Sequence, residues 1–151
     1  MIRIVILLSL FCLSSCVHTA VTALSNPSGV PVVIKVPNAD VKRMPRKSQL
    51  IAIDESISDS SHNRQALQRY FPGVEPSDVR TQWQIVGFSG VATPKKGSPF
   101  VFYLPLISLR SNLSDEQSNQ AVTLLAKDFY REAKKKYEVI PLTDLQKNPK
   151  P

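Results

Sequence analysis

The sequence predicts an α+β fold: a single domain built on a mixed β-sheet, with helices packed on the sheet and a βαβ unit at its C-terminal end. Three observations predict it. β-Branched runs of strand length alternate with segments of helical period; "PFVFYLPLISL" (99–109) carries large apolar residues on both faces of any strand; and a capped amphipathic helix follows it and leads straight into "YEVIPL" (137–142). A strand, a long helix and a further strand in that order make a βαβ unit, whose crossover is right-handed as a rule. Beyond an N-terminal leader about 135 residues remain, enough for one domain with its own core.

The elements follow in order. "VPVVIKVP" (30–37) is β-branched between prolines and reads as a strand near a sheet edge, because proline donates nothing to a ladder. "NADVKRMPRKSQ" (38–49) reads as a loop, and "LIAID" (50–54) as a second strand. Ala66, Leu67, Tyr70 and Phe71 recur at helical spacing in "NRQALQRYF" (63–71), which Pro72 and Gly73 terminate. In "TQWQIVGFSGVA" (81–92) Trp83 and Ile85 alternate with glutamines, Gly87 and Gly90 suggest a bulge, and "TPKKGS" (93–98) turns the chain. The run 99–109 is expected to be central and covered on both sides, with Pro105 at its end or at a bulge. The helix then opens at Ser114 with a capping box to Gln117, and Asp115 and Glu116 suit its positive end. Its apolar stripe is Ala121, Leu125, Phe129 and Ala133, widened by Val122 and Leu124, while Lys127, Asp128, Arg131 and Glu132 are expected to face water. Lys134, Lys135 and Lys136 complement the negative end of the dipole, and 146–151 is a disordered tail.

Both cysteines lie near the N-terminus. Arg3 precedes an apolar run from Ile4 to Leu13, too short for the roughly 20 residues of a membrane-spanning helix, so 1–15 reads as a signal peptide. It ends in Leu13, Ser14, Ser15 and Cys16, "LSSC", which resembles the lipobox of bacterial lipoproteins. The resemblance implies that Cys16 is alkylated with diacylglyceryl and becomes the first residue of the mature chain. Acyl chains contribute about 0.8 kcal/mol per buried methylene, so two or three anchor a protein of this size stably. The competing reading is cleavage by the general peptidase after Ala23, where "VTA" offers small residues. On the lipobox reading 16–29 is a lipidated tether and 30–145 the folded domain. Val17 is not the aspartate associated with inner-membrane retention, so the outer membrane, on its periplasmic side, is the expected location.

Beyond Cys16 no cysteine remains, which excludes a disulfide, a thiolate nucleophile or a cysteine-ligated metal in the exported domain. The formal charge is +7, and losing Arg3 with the leader lowers it to +6. That balance suits an anionic neighbourhood such as head groups, an anionic cell-wall polymer or an acidic protein, whereas nucleic acid is not expected because the basic residues are scattered. The densest early cluster is Lys42, Arg43, Arg46 and Lys47, interleaved with Met44 and Pro45, and it is the expected partner-binding loop. Asp59, Ser61 and His62 adjoin in sequence, but a triad requires convergence in space, and no G-x-S-x-G is present. Asp54, Glu55 and Asp59 lack the spacing of a calcium loop. No catalytic residue, metal ligand or cofactor is expected.

The last third, "FVFYLPL", the helix and "YEVIPLTDLQ", resembles lipoproteins with a CsgG-like or TolB-N-like α/β domain; Val139, Ile140, Thr143, Asp144 and Leu145 match the closing pattern, while Leu142 replaces an arginine. This implies an envelope assembly role and carries over no catalytic residue. The expected function is a non-enzymatic, lipid-anchored accessory or assembly subunit of an envelope machine for secretion, conjugation or surface export. A binding module for cell-wall polymer or lipid is the alternative, and a hydrolase a third reading. Apolar residues exposed beside the basic loop favour the first; a groove lined by Trp83, Tyr103 and lysines favours the second.

Overall fold

The computed structural model describes residues 17–39, 42, 47–58, 67, 69–86 and 99–147. They form one α+β domain. Its strands are β1 (His18–Ala23), β2 (Val32–Pro37), β3 (Val79–Ile85), β4 (Phe100–Ser111) and β5 (Glu138–Pro141); its helices are α1 (Lys47–Ser58), α2 (Asp115–Lys136) and the short α3 (Leu142–Lys147). A 3-10 turn, Pro76–Asp78, leads into β3.

β4 is the axis of the sheet. β3 flanks one side from Val79↔Leu109 to Ile85↔Tyr103, while the other side is shared by β1, from His18↔Ser111 to Ala23↔Leu106, and β2, from Ile34↔Tyr103 to Pro37↔Phe100. β1 and β2 thus run in one direction as a single strand interrupted by an excursion over residues 24–31. Every hydrogen-bonded pair is antiparallel, because β5 pairs with β2 rather than with β4. β4 and β5 still run parallel to each other, so the expected βαβ unit is present in split form, with β2 inserted. Counting β1 and β2 as one strand, the chain order and strand order follow the ferredoxin-like split βαβ plan, which specifies topology and no function.

Pro105 sits in the middle of β4, not at its end. The interruption of β1 and β2 explains how a central strand tolerates it. In an antiparallel strand a residue's N–H and C=O point to the same neighbour. The Pro105 carbonyl accepts from Leu24 N at 2.9 Å, so the missing donor faces the gap where the neighbouring strand leaves the sheet. The excursion is held by Asn26, whose Oδ1 accepts from Ser28 N and Val30 N at 3.0 Å each, and by Gly29 at φ +79°, a left-handed conformation suited to glycine.

Alternation on β4 sends Val101, Tyr103, Ile107 and Leu109 into the core against Ile34, Val36, Ala121, Leu125 and Phe129. The alternate residues Phe102, Leu104 and Leu106 are only half-buried, short of the two-sided cover expected from the sequence. α2 begins as predicted, with Ser114 Oγ accepting from Gln117 N at 3.2 Å and the reciprocal contact completing the capping box.

Further expectations are corrected, among them the disordered tail at 146–151, whose first two residues close α3, and the loop at 38–49, whose last three residues open α1. Residues 50–54 belong to α1, with Ile53 and Ile57 buried; the short run "LIAID" also fits helical spacing, and a run of that length does not discriminate. Residues 18–23, expected within a tether, form β1, because small and polar residues suffice for a strand whose partner, β4, supplies the apolar surface. Leu124 is exposed. Asp128 and Glu132, expected to face water, are 1% and 4% exposed. They stand three and seven residues beyond Leu125, which at 100° per residue puts Asp128 at the edge of the buried stripe and Glu132 within it. Buried charge is accommodated through Arg131, paired with Asp128, and Lys135, 2.9 Å from Glu132. The hydrogen bond from Lys135 holds the Glu132 carboxyl below its ordinary pKa. The helix expected at 63–71 and the bulge glycines Gly87 and Gly90 lie outside the described residues, apart from helical positions at Leu67, Arg69 and Tyr70.

Candidate functional site

β2 and β4 meet at one end of the sheet, where Pro37 pairs with Phe100 and Asn38 N donates to Pro99 O at 2.8 Å. Phe100 is 41% exposed there, an apolar ring left open at the start of a strand whose next residue is fully buried. Two residues back along β2, on the same face, Lys35 pairs across strands with Glu138, its ammonium 2.9 Å from the carboxylate and 4.4 Å from the centre of the Phe100 ring. A cation held over an aromatic face by a carboxylate is a fixed arrangement of charge on an apolar surface.

The start of α1 is tied to the same end. Lys47, exposed, begins α1, and Gln49 Nε2 donates to Pro37 O at 2.8 Å, tying the start of the helix to the end of β2. Lys42 is exposed as well, whereas Arg43, Arg46 and Cys16 lie outside the described residues. Of the four basic residues predicted as a contact site, Lys47 opens the helix that Gln49 ties to Pro37 and Lys42 lies exposed in the segment between, while the cation set on the Phe100 ring is Lys35. Lys35, Phe100 and Pro37 escaped the sequence reading. A lysine in "VVIKVP" signals a solvent-facing strand position, but its ring partner is remote in sequence and appears only through the register.

A second concavity, an open cleft of about 1000 Å³, separates α1 from β3 and is lined by Leu50, Ile51, Asp54, Glu55, Gln82 and Trp83, with Lys47 its sole lysine among the described residues. Trp83 is held edge-on to Tyr103 at 5.9 Å and 86°, and lies 6.1 Å from Phe129. Its indole Nε1 is buried with no hydrogen-bond partner among the described residues. Tyr103 is 1% exposed beneath it, and burial pushes its hydroxyl above the ordinary pKa. The groove of Trp83, Tyr103 and lysines that an anionic polymer would need is thus not what these residues build: Tyr103 is in the core, and two carboxylates oppose one ammonium.

Asp54 and Glu55 stand on α1, and the third acid of that group, Asp59, lies with His62 outside the described residues. Among the described residues no three His, Cys, Asp or Glu side chains gather as metal ligands, and no helix is long and apolar enough to cross a membrane. No family model, curated protein or solved structure matches the chain.

Proposed function

We propose that the protein is a lipid-anchored, non-enzymatic envelope lipoprotein, held through Cys16 on the periplasmic side of an outer membrane, and that it serves as an accessory or assembly subunit by engaging an acidic protein partner. The observation that carries the partner reading is the open Phe100 ring beside the exposed Pro37, with the Lys35 ammonium held over the ring and the exposed Lys42 and Lys47 in the segment that follows β2. Interfaces combine those features: a desolvated aromatic anchor supplies affinity, and surrounding charges select a complementary partner. The anchoring reading rests on "LSSC" after the apolar run.

Substituting Cys16→Ser tests the anchor. The variant is expected to lose fatty-acid labelling and membrane association almost entirely and to remain uncleaved at that site. Unchanged labelling and fractionation would reject lipidation, and recovery of the wild type wholly in inner membranes on a density gradient would reject the location. Mild crosslinking of wild-type membranes and co-purification is expected to yield a protein with an acidic surface.

A further inference from the structure

We propose that the groove between the Asn26 excursion and the C-terminal half of α2 is a binding site for a phosphoryl group, presented by a phosphate ester. The groove is open and holds about 790 Å³, with Asn26 and Pro27 on one wall and Lys127, Arg131, Lys134 and Lys135 on the other. The groove has room for a phosphate together with the group it esterifies. The inference stands independently of lipidation.

The lining offers donors almost exclusively. Asn26 spends its carboxamide oxygen on Ser28 N and Val30 N, so the amide NH₂ is the group it has left to offer. Tyr130 adds a hydroxyl. The two acids nearest the groove, Asp128 and Glu132, are buried and bound to Arg131 and Lys135, so they orient these cations from below rather than presenting carboxylate to a ligand. Among the described residues no carboxylate pairs with Lys127 or Lys134, which leaves the groove with net positive charge. A concave surface of one guanidinium, three ammonium groups and an amide matches a ligand that is all acceptor, and phosphate oxygens form charge-assisted bonds with such groups.

The helix dipole accounts for lysines in the last turn only, since its influence fades within that turn. Lys136 fits that account and is further occupied by the Ser56 backbone carbonyl on α1. Lys127 and Arg131 lie more than a turn before the helix end and find no explanation there. What unites them with Lys134 and Lys135 is the wall they share opposite Asn26. That wall exists because the paired strand leaves the sheet between β1 and β2.

The test is a titration of the full chain in nonionic detergent micelles with inorganic pyrophosphate at fixed pH, read from the backbone amide signals of Asn26, Ser28 and Gly29. Saturable shifts are expected. The double variant Lys127→Gln/Lys134→Gln should weaken binding about tenfold or more through loss of two charge-assisted bonds. Arg80→Gln/Arg110→Gln, an equal change of charge on exposed positions of β3 and β4, should leave it within about twofold. Circular dichroism of both variants is expected to match the wild type. In a second arm the micelles are doped with phosphatidylglycerol or phosphatidylcholine; a response to the former that pyrophosphate competes away assigns the phosphate to a lipid head group, and a response to pyrophosphate alone assigns it to a soluble ester. Absence of saturation, equal weakening by both double variants, or tighter binding of oligoglutamate than of pyrophosphate would each overturn the site.

Discussion

The two ends of β4 differ in what the chain leaves open. At the Ser111 end the sheet is closed: Ser111 and Ser118 share a buried hydrogen bond at 3.0 Å, Ser114 caps α2, and His18 lies 3.6 Å from Asp115. At the Phe100 end, about 36 Å away along the twelve residues of the strand, an aromatic ring and a proline remain exposed beside Lys35. Both ends keep some apolar surface in water, Val17 and Val21 beside the Ser111 end and Phe100 at the other, but only the Phe100 end sets an aromatic ring under a fixed cation, and such surface stabilises nothing unless something covers it. On the proposed anchoring, Cys16 precedes β1 by a single residue, Val17. The closed end would then stand next to the bilayer and the open end would project from it. The tether expected from the sequence shrinks to almost nothing, and reach is supplied by the sheet itself.

Three substitutions break or sharpen this contrast. The largest effect is expected where both ends lean on a common core. Phe129 is buried and stands against Trp83, so Phe129→Ala should cost about 3–5 kcal/mol in urea unfolding. Leu124→Ala, on the exposed face of the same helix, should stay within about 0.5 kcal/mol. Similar losses at both positions would mean that the helix does not pack in this phase.

The helix cap of the closed end was legible in the sequence, whereas the strand that closes it and the whole of the open end were not, for a physical reason. Capping is local: Ser114 and Gln117 stand three residues apart, and their chemistry is written in that spacing. The apolar stripe through Leu125 and Phe129 is likewise periodic. The open end is made by register, which brings Lys35, Phe100 and Glu138 together from three separate strands. Charge misled where period and polarity disagreed, as at Asp128 and Glu132, whose positions follow the stripe although their side chains argue for solvent. The β1 strand was missed because "HTAVTA" has the composition of a linker and becomes a strand only through β4. The donor-lined groove was partly visible as a run of lysines, but its other wall arises from an excursion no local pattern announces.

The second substitution acts on the closed end. Ser114→Ala removes the side-chain acceptor of Gln117 N and should cost about 1 kcal/mol of stability. Capture of the partner by the membrane-bound protein should be unaffected, since the cap is remote from the Phe100 ring. A loss of capture at undiminished stability would move the interface to this end.

The third substitution carries the smallest expected change in stability and bears most directly on function. Phe100 is exposed and its inward neighbour Val101 is fully buried, so truncating the ring removes little from the core; Phe100→Ala should alter unfolding by no more than about 0.5 kcal/mol. If the open end is an interface, the same variant should weaken capture of the crosslinked partner several-fold, because a desolvated aromatic anchor carries more binding energy than the charges around it. Reversing charge in the basic segment with Arg43→Glu/Arg46→Glu should also weaken capture, and more at low than at high salt, because exposed charges are screened within about 10 Å at 0.1 M salt. The two responses separate the contributions: loss on Phe100→Ala should persist at high salt, and loss on charge reversal should fade. Wild-type capture by a folded Phe100→Ala protein would leave the exposed ring without a role in binding, and the half-buried face of Phe102, Leu104 and Leu106 would become the surface to test next.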